Sequence, residues 1–384
     1  MPVIDAKKLL DNRVEAIRKY HADTGIKRAE LDVSGGIDSA VMAGLLVMAL
    51  GEENCTFAHL RINSDPKQTD RAIRLINGIG AKLAVLDVTE EYRQIVNKTQ
   101  ASLLACGYDI FEIEKRLAAD PTILGSIRST LRAPLGRAFN RITGGGIRHG
   151  TGNECEDRFL RFYQKGGDGE VDTNPIAMLS KAEIYQLAFE LANHFGETAK
   201  QAYYDTIGTI PSADLWGVGD KHNDESEIAN WLGASFTYGR LDVTTGKVIN
   251  VGTIERVARF LDEANVGGVD AGGRDRPLQS DVTFATGSHR KWQEMWLFRD
   301  TLSDADLAYL VDRALGSAAF GRTSGGGRVA TGLDESTIAA LLKGARKAER
   351  QTRHKLNPAI PQLGTRQELL DAGILSDNFA DYGI

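Results

Sequence analysis

Residues 29–46 read AELDVSGGIDSAVMAGLL, and they decide the fold. Leu31, Asp32 and Val33 form a short predicted strand that runs into Ser34-Gly35-Gly36-Ile37-Asp38-Ser39, and an apolar helix follows at once. Paired glycines let a backbone pass close to a bound group without a Cβ in the way. The turn delivers Asp38 and Ser39 at a helix start, where unpaired N–H groups and the helix dipole favour an anion. A bare Ser-Gly-Gly is an ordinary turn, since Ser and Gly dominate turns anyway. All six positions between a strand and a helix point instead to a phosphate site, with Ser34 and Ser39 adding hydroxyl donors. The spacing G-x-x-x-x-G-K-[ST] is absent, which excludes the common nucleotide-binding P-loop.

Outward from this loop, the chain alternates. An amphipathic helix is predicted over residues 5–20, with Leu9, Leu10, Val14 and Ile17 on one face. The helix over 39–50 is apolar on nearly all sides, so burial is expected, and Gly51 ends it. Strand 55–60, helix 67–77, strand 82–87 and helix 90–104 then complete a β-α-β-α-β-α pattern. Such alternation implies an α/β fold with a doubly wound parallel sheet. Ligands of these sheets bind beyond the carboxyl ends of the strands, where the loop at 34–39 and Arg61 fall. Arg61 is either a nucleotide contact or, as arginines mostly are, a solvated charge. Residues 106–119 read as irregular. A long helix follows from residue 121 to 142, and Pro134 and Gly136 are expected to kink or interrupt it.

Composition narrows the class. The 384 residues are 42% hydrophobic and 26% charged, enough for a sizeable core in one large domain or two. A net charge of −6 argues against a general nucleic-acid binder. The three cysteines, Cys55, Cys106 and Cys155, lack C-x-x-C spacing, which disfavours a zinc site or a disulfide framework. No apolar run is long enough for a membrane span, so a cytoplasmic protein with no membrane partner is expected.

A second informative stretch, residues 150–181, reads GTGNECEDRFLRFYQKGGDGEVDTNPIAMLSK. A Gly-rich turn again opens a helix, with Glu156 in its early turns. Glu156 is either a hard-oxygen carboxylate of the kind a divalent cation such as Mg²⁺ takes, or a charge that only complements a helix dipole. Lys165, Asp168 and Lys181 lie on or beside a Gly-rich loop and suit ligand contact.

Together these motifs resemble the ammonia-dependent NAD synthetases, within the ATP pyrophosphatases. The SGGxDS loop of that family reads SGGIDS here, GTGNxxE is Gly150-Thr151-Gly152-Asn153 with Glu156, and KYGDGxxDxxPI is Lys165 to Gly169 with Asp172, Pro175 and Ile176. Its LxK helix start is Leu179-Ser180-Lys181. Its PxADL segment is Pro211-Ser212-Ala213-Asp214-Leu215, with Asp224-Glu225 downstream, and Ser64, Pro66 and Ala72 also match. His354-Lys355 with Pro358 and Pro361 is similar to its HKRxxP tail. The resemblance covers about two-thirds of the chain.

Four departures bear on substrate fit more than on phosphate chemistry. The run Gly144-Gly145-Gly146-Ile147-Arg148-His149 replaces an apolar strand, which is therefore expected to be short or bent. One extra residue separates Glu156 from Asp168. Gly166 replaces a tyrosine. Of two arginines usual in the preceding helix, one aligns with Arg132 and the other with Thr130, leaving Arg128 or Arg137 as candidates to compensate.

The resemblance implies a reaction and its residues. Nicotinic acid adenine dinucleotide would be amidated by ammonia at the expense of ATP, through an adenylate, with AMP and pyrophosphate released. Asp38, Glu156 and Lys181 would be catalytic, with Mg²⁺ on Asp38 and Glu156. ATP and its pyrophosphate would meet Ser34, Gly35, Gly36, Asp38, Ser39, Arg61, Thr151, Lys181 and Ser212. The dinucleotide would meet Arg132, Lys165, Asp168, Asp172, His354 and Lys355. A homodimer is implied, through apolar faces of helices 90–104 and 121–142. About thirty residues precede the loop, too few for a glutamine amidase domain, so ammonia is the expected donor. The expected division is a synthetase domain over 1–262, an insertion or lid over 263–347, and a tail over 348–384 that rejoins the domain. The insertion carries Trp292, Trp296, a helical run at 305–315, Gly-rich breaks at 267–273 and 321–327, and the basic residues Arg290, Lys291, Arg322 and Arg328. Two alternatives stay open at the level of sequence: another ATP pyrophosphatase acting on a different nucleotide, and a nucleotide sensor without turnover.

Overall fold

Alternate residues of the central strand face opposite layers, and this organises the molecule. The computed structural model describes residues 5–120, 122–153, 156, 163–212, 223–250, 252–253, 320–322, 328–330, 340, 344, 347 and 364–375. In β1 (Ala29–Asp32), Ala29 and Leu31 join the hydrophobic core. Glu30 and Asp32 turn to the other side and meet Arg148. β2 (Cys55–Arg61), β3 (Leu83–Asp87) and β4 (Ile147–His149) complete a four-stranded sheet in the order β3-β2-β1-β4, with every pairing parallel. The chain reverses its winding beside β1. That is the switch point at which open α/β sheets leave a crevice beyond their carboxyl ends.

The apolar layer holds α1 (Ala6–Thr24), α2 (Ile37–Leu50), α3 (Pro66–Gly78), α7 (Lys181–His194) and α8 (Glu197–Ile207). Helix α2 is buried at Ile37 and from Ser39 to Leu46, leaving Asp38 partly open, and packs against β1, α1, α7 and α8. Gly44 is fixed by this packing, because a Cβ there would lie 2.2 Å from the Tyr203 hydroxyl. Asp5 caps α1 by accepting from the Lys8 N–H, and Gly25 ends the helix at φ 69°. On the opposite face, α6 (Thr122–Ile142) packs against β1 and β2. The expected doubly wound sheet is therefore present, with helices on both faces.

Two local expectations are corrected. Residues 106–119 are not irregular throughout, for α5 (Ile110–Ala119) forms there, with the Asp109 carboxylate capping the Phe111 N–H. Pro134 and Gly136 do not interrupt α6, which runs unbroken past both. Gly136 serves packing: a Cβ there would fall 1.5 Å from Nη1 of Arg148, so the bare backbone makes room for that guanidinium. β4 is short, as expected from its glycine run.

After β4 come α7 and α8, then α9 (Asp224–Leu232), an antiparallel pair β5 (Arg240–Leu241) and β6 (Val248–Asn250), a second antiparallel pair β7 (Phe320–Arg322) and β8 (Arg328–Ala330), and α10 (Arg366–Asp371). α4 (Thr89–Ala105) follows β3 in the chain and packs against α5. No helix among the described residues is long and apolar enough to cross a membrane. Most of the expected insertion at 263–347, with its tryptophans, lies outside the described residues.

Candidate active site

The turn after β1 closes on itself through its own side chains. Ser39 Oγ donates to the Gly36 carbonyl at 3.0 Å and accepts the Ser34 N–H at 3.2 Å. Ser34 Oγ lies 3.0 Å from Ser39 Oγ and accepts the Gly36 N–H at 3.2 Å. Both hydroxyls thus shape the loop. Gly35 has φ 84°, and a Cβ there would fall 2.3 Å from the Gln68 carbonyl oxygen. Arg71 Nε donates to the Gly35 carbonyl at 3.0 Å, so α3 clamps the turn from outside. The N-cap of α2 is Gly36, with no side-chain capping bond. An uncapped helix start leaves first-turn N–H groups for a bound anion.

Three charged side chains from distant parts of the chain meet beside this turn. Lys181 Nζ lies 2.7 Å from Asp38 Oδ2 and 2.7 Å from Glu156 Oε1. Asn153 ties the loop after β4 to the loop after β1, donating from Nδ2 to Asp38 Oδ1 at 3.0 Å. The same residue accepts the Glu156 N–H at 3.2 Å on Oδ1. Tyr238 closes the group, its hydroxyl 3.3 Å from Glu156 Oε1 and its ring 5.0 Å from Lys181 Nζ. Lys181 is the first residue of α7, fixed by a capping box between Ser180 and Glu183. A cation at a helix N-terminus opposes the dipole, so the two carboxylates, not the helix, hold it there.

The electrostatics follow from one ammonium facing two carboxylates. Burial works against the Lys181 charge, but Asp38, Glu156 and Asp224 outweigh it and hold its pKa well above the ordinary lysine value. Lys181 is therefore a fixed cation and a hydrogen-bond donor, not a base. Burial pushes the Glu156 carboxyl upward, Lys181 opposes this, and Asp38 adds to it. The net result is a raised Glu156 pKa, set first by burial and then by the nearby Asp38 carboxylate, which together outweigh Lys181. A second cation relieves the repulsion between the two carboxylates. The two carboxylates, whose facing oxygens both lie on Lys181 Nζ, are hard-oxygen donors of the kind Mg²⁺ takes.

The remaining expected residues are spread around this centre. Thr151 is half-buried just after β4, next to Asn153. Arg61 ends β2 and pairs with Asp87 at 3.3 Å. Arg132 reaches the Leu60 carbonyl from α6 at 3.4 Å. Asp168 accepts from Ser129 Oγ at 2.9 Å and from the Gln164 N–H at 2.8 Å, while Lys165 stands exposed on the same turn. Asp172 is engaged by Arg137 at 2.8 Å and accepts the Arg148 N–H at 2.8 Å. Ser212 is half-buried at the edge of the described chain, and His354 and Lys355 lie outside the described residues. Arg71, Asn153 and Tyr238 were not among the expected site residues. Asn153 was legible as part of the GTGN turn, whereas nothing in the local pattern marks Tyr238.

Comparison with known proteins bears on this arrangement. A family model described as NAD synthase matches residues 9–243. The NH(3)-dependent NAD(+) synthetase of Alkaliphilus oremlandii is 29% identical over 232 residues, covering 60% of this chain and 83% of that protein. The protein of the same name from Pyrobaculum aerophilum is 31% identical over 221 residues, covering 57% of this chain and 70% of that protein. Among solved structures, NMN synthetase from Francisella tularensis is 23% identical with a TM-score of 0.48, covering 59% of this chain and 82% of that one.

Proposed function

The chain belongs to the NAD synthase family, and from that membership we propose that it makes NAD from nicotinic acid adenine dinucleotide, ammonia and ATP. The observation that carries this reading is the meeting of Asp38, Glu156 and Lys181 beside the uncapped start of α2, at the switch point of the sheet.

The chemistry follows from what a carboxylate lacks. Its oxygen is a poor leaving group, so ammonia cannot displace it directly. Attack of the pyridine carboxylate on the α-phosphorus of ATP forms a carboxyl–phosphate bond and breaks the bond to the β-phosphate, releasing pyrophosphate. Ammonia then adds to the activated carbonyl, AMP leaves with the bonding electron pair, and loss of protons gives the carboxamide. The turn at 34–39 and the α2 start offer backbone N–H groups to the departing pyrophosphate. Lys181, held protonated, supplies positive charge next to that group. Asp38 and Glu156 would hold Mg²⁺, which supplies further charge stabilisation to phosphoryl transfer when bound. Arg132, which reaches the Leu60 carbonyl near the carboxyl end of β2, is assigned to the dinucleotide with Lys165 and Asp168 of the turn that Ser129 holds to α6. Asp172 supports that loop from behind, through Arg137 and β4.

The same reading makes the protein a cytoplasmic homodimer, with residues 263–347 an addition to the synthetase domain. Support for self-association comes from outward apolar side chains on and between α4 and α5, including Phe111 at 76% exposure and Tyr108 at 57%.

One incubation tests the reaction. Purified protein with the acid dinucleotide, ammonium, Mg²⁺ and ATP labelled at the α position is expected to yield NAD, labelled AMP and stoichiometric pyrophosphate. ADP as the main labelled product removes the assignment.

A further inference from the structure

Arg128 is a buried cation without a counter-ion. It stands on α6 at 4% exposure, and its Nε and Nη1 have no hydrogen-bond partner. Among the described residues its guanidinium sits over the Tyr92 ring, 5.5 Å from the guanidinium carbon to the ring centroid. Among the described residues no carboxylate pairs with it. Other buried arginines here are treated differently. Arg148 faces Glu30 and Asp32, and Arg366 faces Glu183. A guanidinium withdrawn from water with donors unmet is costly, and such charges persist where something else pairs with them.

Three neighbours locate it. Tyr92 stands in the first turn of α4, which leaves the carboxyl end of β3. Arg132, four residues further along α6, reaches the Leu60 carbonyl near the carboxyl end of β2. Ser129, next in sequence, holds Asp168 in the turn beside Lys165. The N-terminal half of α6 therefore lines the carboxyl edge of the sheet, where ligands of this architecture bind. Arg137, the other arginine available on α6, is already committed to Asp172 and Glu170.

We propose that Arg128, seated on Tyr92, binds an oxyanion of the acid dinucleotide and fixes that substrate against α6. The inference rests on the reaction assigned above. A guanidinium presents parallel N–H donors that match a carboxylate or a phosphate equally, so the partner is either the pyridine carboxylate or the bridging pyrophosphate.

Calorimetric titration of the wild type and of Arg128→Met with the acid dinucleotide, with NAD and with ATP decides it. Methionine keeps apolar contact with Tyr92 and removes the charge. The variant is expected to bind the acid dinucleotide about 10- to 100-fold more weakly, the usual range for charge-assisted hydrogen bonds, with ATP affinity unchanged. NAD carries the same phosphates and lacks the carboxylate. Equal weakening toward NAD identifies the pyrophosphate, and unchanged NAD binding identifies the carboxylate. Without ligand, Arg128→Met should melt no lower than the wild type, because an unpaired buried charge has been removed. Equal binding of the acid dinucleotide by both proteins overturns the proposal. So does weakening toward ATP alone, absence of dinucleotide binding by the wild type, or a marked fall in the unliganded melting temperature. Binding without NAD formation by the wild type would instead discard the reaction and keep the site.

Discussion

At Lys181, one positive charge answers two negative ones, and the surplus defines what the site wants. Lys181 lies 2.7 Å from both Asp38 and Glu156, and burial, with the Asp38 charge beside it, raises the Glu156 pKa. Glu156→Gln and Asp38→Asn keep shape and most hydrogen bonds while removing charge. Each is expected to lower the rate of pyrophosphate release at least ~100-fold, by analogy with loss of other preorganised groups at a phosphoryl or acyl centre. Glu156→Gln should melt close to the wild type, since it removes the carboxylate in excess. Near-normal rates in both variants would sink the metal assignment. These residues were legible because each stands at a glycine-rich turn or a helix start, a local signal. Tyr238 was not, since it reaches Glu156 only through the path of the chain after α9. Arg128 was legible only as a candidate beside Arg137. Choosing between them needed the packing, which commits Arg137 to Asp172 and leaves Arg128 unpaired.

Between elements, a histidine pair joins α1 to β4. His21 Nδ1 donates to the Ile26 carbonyl at 2.7 Å, which leaves its Nε2 to accept from His149 Nε2, 3.0 Å away. Burial keeps both rings neutral near pH 7. Burial lowers the His21 pKa, and burial with His21 alongside lowers His149 to about 3, against some help from Asp172. Above the ordinary histidine value near 6.5, neither folded nor unfolded chain is protonated there and the pair is silent. As pH falls below it, the unfolded chain binds protons that the folded chain refuses, so stability falls. For His149 alone this amounts to about 2 kcal/mol between pH 6.5 and 5. Urea unfolding at pH 7.5 and 5.0 should show it, and His149→Gln, which keeps a donor, should flatten the difference by about that amount. An unchanged pH difference in the variant would remove this role. At this scale the sequence was informative wherever apolar periodicity met a capping residue or a glycine stop. It misled at α5, whose residues are never buried and so carry little core signal beyond the Asp109 cap. At Pro134 the helix continues without a break, and the space Gly136 makes for Arg148 belongs to the packing of α6 on the sheet.

For the whole molecule, the outer faces of α4 and α5 pose the question of partners, since Tyr92 is the only buried residue of α4 and α5 buries none. Sedimentation should give twice the mass of one chain, and Phe111→Asp should shift this toward one chain while the helical signal stays intact. A wild type that sediments as a single chain removes the dimer. The parallel sheet and its two helical layers were readable from strand–helix alternation; the sheet order was not, since periodicity says nothing about which strands become neighbours. That order has a consequence for how the protein is made. Asp38 emerges from the ribosome 143 residues before Lys181, its hydrogen-bonded cation. At about 5–20 residues per second the interval is roughly 7–30 s. Until then the loop after β1 lacks the hydrogen-bonding partners that Asn153 and Lys181 bring to Asp38. The triad of Asp38, Glu156 and Lys181 is therefore complete only once the distant half of the domain closes over the first.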